Sequence, residues 1–98
     1  MDNSIEIARL LILSTAHLTE ETATKMDEGR DIGHPYDTVK YGYEMWVPTI
    51  LQEIVDVREK GVPGEIVNAF LLAFKYDCRY IRFDRDADTT EQLNTYDW

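Results

Sequence analysis

Two short runs in this chain carry residue types that could do chemistry. Asp84-Arg85-Asp86-Ala87-Asp88 sets three carboxylates at alternate positions. Oxygen ligands at the first, third and fifth positions open a calcium loop. The remainder of that pattern is missing: Thr89 stands where its glycine would be, and Thr95 where its closing glutamate would be. The plainer reading is a solvated strand end with Arg85 between two carboxylates. The second run is Ser14-Thr15-Ala16-His17. A hydroxyl beside an imidazole is the minimum for nucleophilic catalysis. No Gly-x-Ser-x-Gly elbow surrounds Ser14, and no acid can be assigned to orient the histidine. Hydroxyls that follow a strand more often cap backbone N–H groups, and His17 then bonds backbone as well.

His17 or His34 combined with Asp84 and Asp86 would give a hard metal site of imidazole and carboxylate, but nothing in their spacing brings them together. Gly29, Gly33, Gly42, Gly61 and Gly64 form neither a Gly-x-Gly-x-x-Gly turn nor a P-loop, so no phosphate cradle is present. Arg79, Arg82 and Arg85 recur every third residue and cannot share one strand face. Asp77, Asp84, Asp86 and Asp88 surround them. We therefore assign no catalytic residue, no metal and no cofactor from the sequence.

The bulk charge points to contact instead. Nineteen acidic residues stand against ten basic ones, a net charge of −9 on 98 residues. Such a surface repels nucleic acid and anionic lipid and attracts basic protein surfaces. The expected contacts are the acids Glu53, Asp56, Glu59, Asp84, Asp86 and Asp88, with Tyr96 and Trp98 as aromatic anchors. Tyr and Trp are the usual anchors of interfaces. Tyr36, Tyr41, Tyr43, Trp46 and Tyr80 divide between core and surface on this reading. Cys78 is the only cysteine, so no internal disulfide forms, which fits a reducing cytoplasm. The longest apolar run, Leu10 to Leu13, is too short to span a bilayer. Asp2 and Glu6 precede it where a signal peptide would carry positive charge.

The elements that must position these residues read as one α+β domain over 1–98, with a polar C-terminal tail from about Ala87. Leu10–Leu13 has the continuous apolar character of a buried strand, with a helix over Ile5–Leu13 as the alternative. Thr19 caps a helix over Glu20–Glu28 that Gly29 ends. Arg30–Val39 reads as loop. Lys40–Val47 alternates as a strand, with Tyr41, Tyr43, Met45 and Val47 on one face and Gly42, Glu44 and Trp46 on the other. Thr49 and Gln52 form a capping box for a second helix, which buries Ile50, Ile54 and Val57, flanked by Leu51 and Val55, and stops at Gly61. Pro63 opens a third helix to about Tyr76, buried through Ile66, Val67, Phe70, Leu71 and Phe74. Arg79–Asp84 is the last strand, with Ile81 and Phe83 inward. The order β-α-β-α-α-β predicts a three-stranded sheet with helices packed on one face.

Ser14–Thr19, Tyr41-Gly42-Tyr43, Tyr80–Asp86 and Tyr96-Asp97-Trp98 together resemble a family of small uncharacterised proteins from phages and mobile elements. A glycine often follows the Asp-Arg-Asp element in that family; this chain has Ala87. Ser14–Leu18 is also similar to a stretch near the start of a small anti-CRISPR protein. The class resemblance implies a phage-encoded inhibitor in the cytoplasm of a bacterial host. Its acidic, aromatic-bearing surface would fill a basic groove, such as that of a CRISPR effector, without binding nucleic acid directly. Two alternatives stand beside it: a structural or regulatory homodimer, and a small hydrolase-like enzyme centred on His17 and Asp84.

Overall fold

The computed structural model describes residues 5–98; Asp2 lies outside them. Among the described residues the sheet has four strands, not three. They are β1 (Leu10–Ser14), β2 (Asp37–Val39), β3 (Gly42–Trp46) and β4 (Tyr80–Asp84), in the order β1-β4-β3-β2. β1 runs parallel to β4, and the other pairs are antiparallel, so the sheet is mixed. Three α-helices and a 3₁₀ turn (Thr15–His17) complete the described residues: α1 (Glu20–Asp27), α2 (Leu51–Glu59) and α3 (Gly64–Lys75). Among the described residues, no helix is long and apolar enough to cross a membrane.

The added strand lies in the segment expected to be loop. Asp37-Thr38-Val39 is too short to show alternation. Its connection to β3 is Lys40-Tyr41, which lacks the glycine or asparagine that marks a two-residue hairpin. The turn is held from outside instead. The Arg85 N–H donates to the Tyr41 carbonyl (2.9 Å), and its guanidinium Nη2 donates to the Lys40 carbonyl (3.2 Å).

Side chains alternate across a strand, and here the alternation sorts core from surface. Leu13, Tyr43, Met45, Ile81 and Phe83 are buried on one face, beneath the helices. Ala23 and Met26 of α1, Ile54 and Val57 of α2, and Ile66, Val67 and Phe70 of α3 meet them in one core. Ile12, Trp46 and Tyr80 point the other way and are 51%, 45% and 42% exposed, so that face is uncovered.

Thr19 caps α1 as expected, its hydroxyl accepting from the Thr22 N–H (3.2 Å). The capping box expected for the second helix does not form. α2 begins at Leu51 with Ile50 at the cap, so Thr49 stands one residue too early, and Gln52 donates to Asp56 instead (3.0 Å). Ile50 is consequently exposed, as are Leu51 and Val55. In α3 the buried stripe is turned from the expected one. Ala69, Leu72 and Ala73 face inward, while Leu71 and Phe74 face solvent. Two alanines on the packed side let a helix approach its neighbours closely, which favours that rotation over one that would insert a further phenylalanine.

Glu65 ties the first turn of α3 to the start of α1, its Oε2 accepting from the Thr19 N–H (2.8 Å). Burial pushes the Glu65 carboxyl up, but the hydrogen bonds from Thr19, with smaller backbone and Thr22 contributions, outweigh it and leave it below the ordinary value of 4.5. A carboxylate depressed on folding adds stability above its unfolded value, and that stability is lost as pH falls through the folded value. Glu65→Gln is therefore expected to cost about 1 kcal/mol at neutral pH. Urea melts at neutral pH and below pH 4 check this. The gap between native and variant closes in acid; an equal gap at both pH values would contradict the assignment.

Candidate functional site

The uncovered sheet face is ordered in rows fixed by strand register. Leu10, Tyr80 and Trp46 are cross-strand neighbours at one end. Ile12, Arg82, Glu44 and Asp37 form the middle row. Asp84 lies at the far end beside Gly42, and Asp86 and Asp88 follow it. Rows two residues apart are separated by roughly 7 Å, so the face grades from aromatic to acidic over about 13 Å. Arg82 is spent within it, its Nε donating to Glu44 Oε2 (3.0 Å). A small hollow of about 150 Å³ lies between Trp46, Tyr80, Glu44 and Tyr36. His34 backs the Trp46 ring at 4.3 Å between centroids and donates from Nε2 to the Trp46 carbonyl (2.8 Å). Burial lowers the His34 pKa below 6.5, partly offset by that carbonyl, so the imidazole acts as packing.

The acids expected at the interface do not form one patch. Asp84 is on the uncovered face, and its Oδ1 accepts from the Asp86 N–H (2.8 Å). Glu53, Asp56 and Glu59 line α2, on the helical layer beneath the other side of the sheet. Asp37, Glu44, Trp46, Tyr80 and Ile12 were absent from the expected set. The outward positions of Glu44 and Trp46 on β3 and of Tyr80 on β4 were readable from alternation; those of Ile12 on β1 and Asp37 on β2 were not, and the adjacency of all five depends on a strand order that the sequence does not display.

Tyr96 and Trp98 dock on their own domain. The Tyr96 N–H donates to the Ala16 carbonyl (2.9 Å), and the Trp98 indole N–H donates to the Leu18 carbonyl (3.0 Å), leaving that ring 58% exposed. His17 is the clamp for the same tail. The Thr90 N–H donates to Nε2 (3.0 Å), so Nε2 is unprotonated and Nδ1 donates to the Asn94 carbonyl (2.8 Å). Both ring nitrogens are thus committed to backbone. Ser14 caps the 3₁₀ turn Thr15–His17 by accepting from the Ala16 N–H (3.0 Å). The structure forms no Ser14–His17 pair and brings neither histidine to Asp84 or Asp86. Among the described residues, no three His, Cys, Asp or Glu side chains are grouped to hold a metal ion.

The four segments that carry the family resemblance meet beyond the carboxyl ends of β1 and β4. They line a cleft of about 190 Å³, walled by Thr15, Asp27, Thr38, Tyr43, Arg85 and Trp98. At its base the Tyr43 hydroxyl donates to Asp27 Oδ1 and lies 3.2 Å from the Ala23 carbonyl. Burial pushes the Tyr43 phenol well above 10, and Asp27 adds to the shift while Arg85 opposes it.

Residues 10–98 match the C-terminal domain of a family of unknown function, DUF5983. Neither a curated protein nor a solved structure matches the chain. The match spans every segment that carried the resemblance, and the chain belongs to this DUF5983 family.

Proposed function

We propose that this domain works by binding a protein rather than by turning over a substrate. The observation that carries the reading is the uncovered face, where exposed Trp46 and Tyr80 are cross-strand neighbours and Asp37, Glu44 and Asp84 follow along the same surface. Rings beside carboxylates suit a basic partner: charge speeds the encounter and aromatic burial slows release. In its specific form, the domain is a phage-encoded inhibitor in the cytoplasm of a bacterial host. It occupies the basic groove of a nucleic-acid-binding defence complex such as a CRISPR effector. The −9 charge of the chain supports that choice of partner.

The test is a titration of the pure protein into guide-loaded effectors, reading target-DNA cleavage and direct binding at about 50 and 300 mM salt. Inhibition that weakens at high salt is expected. Trp46→Ala or Tyr80→Ala is expected to cost about 2 kcal/mol, roughly thirtyfold in Kd. Binding that is indifferent to both salt and these substitutions would sink the proposal.

A second reading, a homodimer, draws on β1. This edge strand, Leu10–Ser14, holds no charged residue in a chain of net charge −9, and its outer backbone groups face no neighbouring strand in the sheet. Two copies repel through their net charge and attract through this edge, so dimerisation is expected to rise with salt, opposite to the first reading. Sedimentation equilibrium at the same two salt concentrations separates them.

A further inference from the structure

The cleft beyond β1 and β4 has a chemistry that partner binding does not use. Arg85 gives one guanidinium N–H to the Lys40 carbonyl, and its remaining guanidinium donors make no hydrogen bond to another described residue. Asp27 takes the Tyr43 hydroxyl on Oδ1, leaving Oδ2 as an acceptor. The hydroxyls of Thr15 and Thr38 make no hydrogen bond to another described residue, yet both line the cleft. The Trp98 indole N–H is tied to Leu18, which fixes the ring as a wall. Five separate parts of the fold supply these groups: the 3₁₀ turn, α1, the β2–β3 hairpin, the end of β4 and the tail.

A simple anion drawn to Arg85 would meet the Asp27 carboxylate, and a simple cation drawn to Asp27 would meet the guanidinium. A ligand carrying both charges satisfies both. A carboxylate matches the planar fork of arginine, and an ammonium matches the open carboxylate oxygen. The volume, about 190 Å³, is below the roughly 300–1,000 Å³ of sites for drug-sized ligands and suits a small metabolite. The rings of Tyr43 and Trp98 favour an apolar or aromatic side chain on such a ligand. We propose that this cleft binds a small zwitterion of the α-amino-acid class, with its carboxylate on Arg85 and its ammonium on Asp27. The inference does not rest on the protein-binding reading, since the cleft opens between the 3₁₀ turn, α1, the β2–β3 hairpin and the tail, and neither Trp46 nor Tyr80 lines it.

The probe is L-phenylalanine, titrated into the intact chain and followed by amide and indole N–H resonances. Shifts at Thr15, Thr38 and the Trp98 indole are expected, with residues of the uncovered face unmoved. 3-Phenylpropionate lacks the ammonium and phenethylamine lacks the carboxylate; each is expected to bind about tenfold more weakly or worse. Arg85→Gln and Asp27→Asn are expected to cause a similar loss. The two single-charge compounds keep the test decisive on the native protein if either variant fails to fold. No shift at about 10 mM phenylalanine, or equal binding of a single-charge analogue, overturns the proposal.

Discussion

Gly42→Ala is expected to destabilise the domain by about 3 kcal/mol or more. A Cβ at this position would stand 1.7 Å from the Phe83 carbonyl oxygen and 2.8 Å from its carbon. Both are backbone atoms of β4, which cannot rotate away as a side chain would. Relief requires β3 to separate from β4, and that pairing sets both the core face and the uncovered face. For a domain of this size, 3 kcal/mol corresponds to a fall in Tm of roughly 12–24 °C. Gly64→Ala is the control. Nothing lies within 4 Å of a Cβ there, and the position opens α3. It is expected to be neutral or to stabilise by up to about 1 kcal/mol. Thermal melts of the two variants measure the contrast, and equal melts would show that the β3–β4 approach is looser than described.

His17→Ala is expected to release the C-terminal tail. The imidazole is buried, and it joins the Thr90 N–H to the Asn94 carbonyl across a sequence distance of more than seventy residues. Without it, both backbone groups lose their partner, and each buried unsatisfied group costs about 1–3 kcal/mol. Local opening of residues 90–98 should then become roughly tenfold to a thousandfold more frequent. Hydrogen exchange at the Thr90 and Tyr96 amides reads this directly. Exchange at Ile81 and Phe83 is expected to change far less, because β4 is held in the sheet by its ladders to β1 and β3. Unaltered exchange at Thr90 would show that the tail holds by other contacts.

Much of the fold was legible because local signals agreed with tertiary packing. Thr19, Glu20 and Glu21 announced α1 at its correct start. The alternation in Tyr43–Trp46 and Tyr80–Phe83 assigned the right residues to each face. What failed had a physical source in each case. β2 carries three residues and no turn signal, so the hairpin was invisible. Leu71 and Phe74 have the right period for a core stripe, but rotation of α3 is set by what fits beneath the sheet. The partner face was half legible: Trp46 and Tyr80 could be placed outward, but not side by side. The tail was least legible. His17 forms one clamp with Thr90 and Asn94, and nothing in a linear reading pairs a residue after β1 with residues beyond β4. His17, Tyr96 and Trp98 belong to the resemblance segments, and Tyr96 and Trp98 bond Ala16 and Leu18 within them, so part of what they encode is the attachment of the tail.

Among the described residues, β1 has its only ladder partner in β4, about 70 residues further along the chain. On a ribosome adding roughly 5–20 residues per second, the Leu10–Ser14 segment waits some 4–14 s for its mate to emerge. Through that interval, four consecutive aliphatic side chains and a bare strand margin are presented to solvent or to a chaperone. Completion of the sheet is therefore a late event in synthesis, and truncation before Tyr80 would leave a nascent polypeptide prone to aggregate rather than a smaller version of the domain.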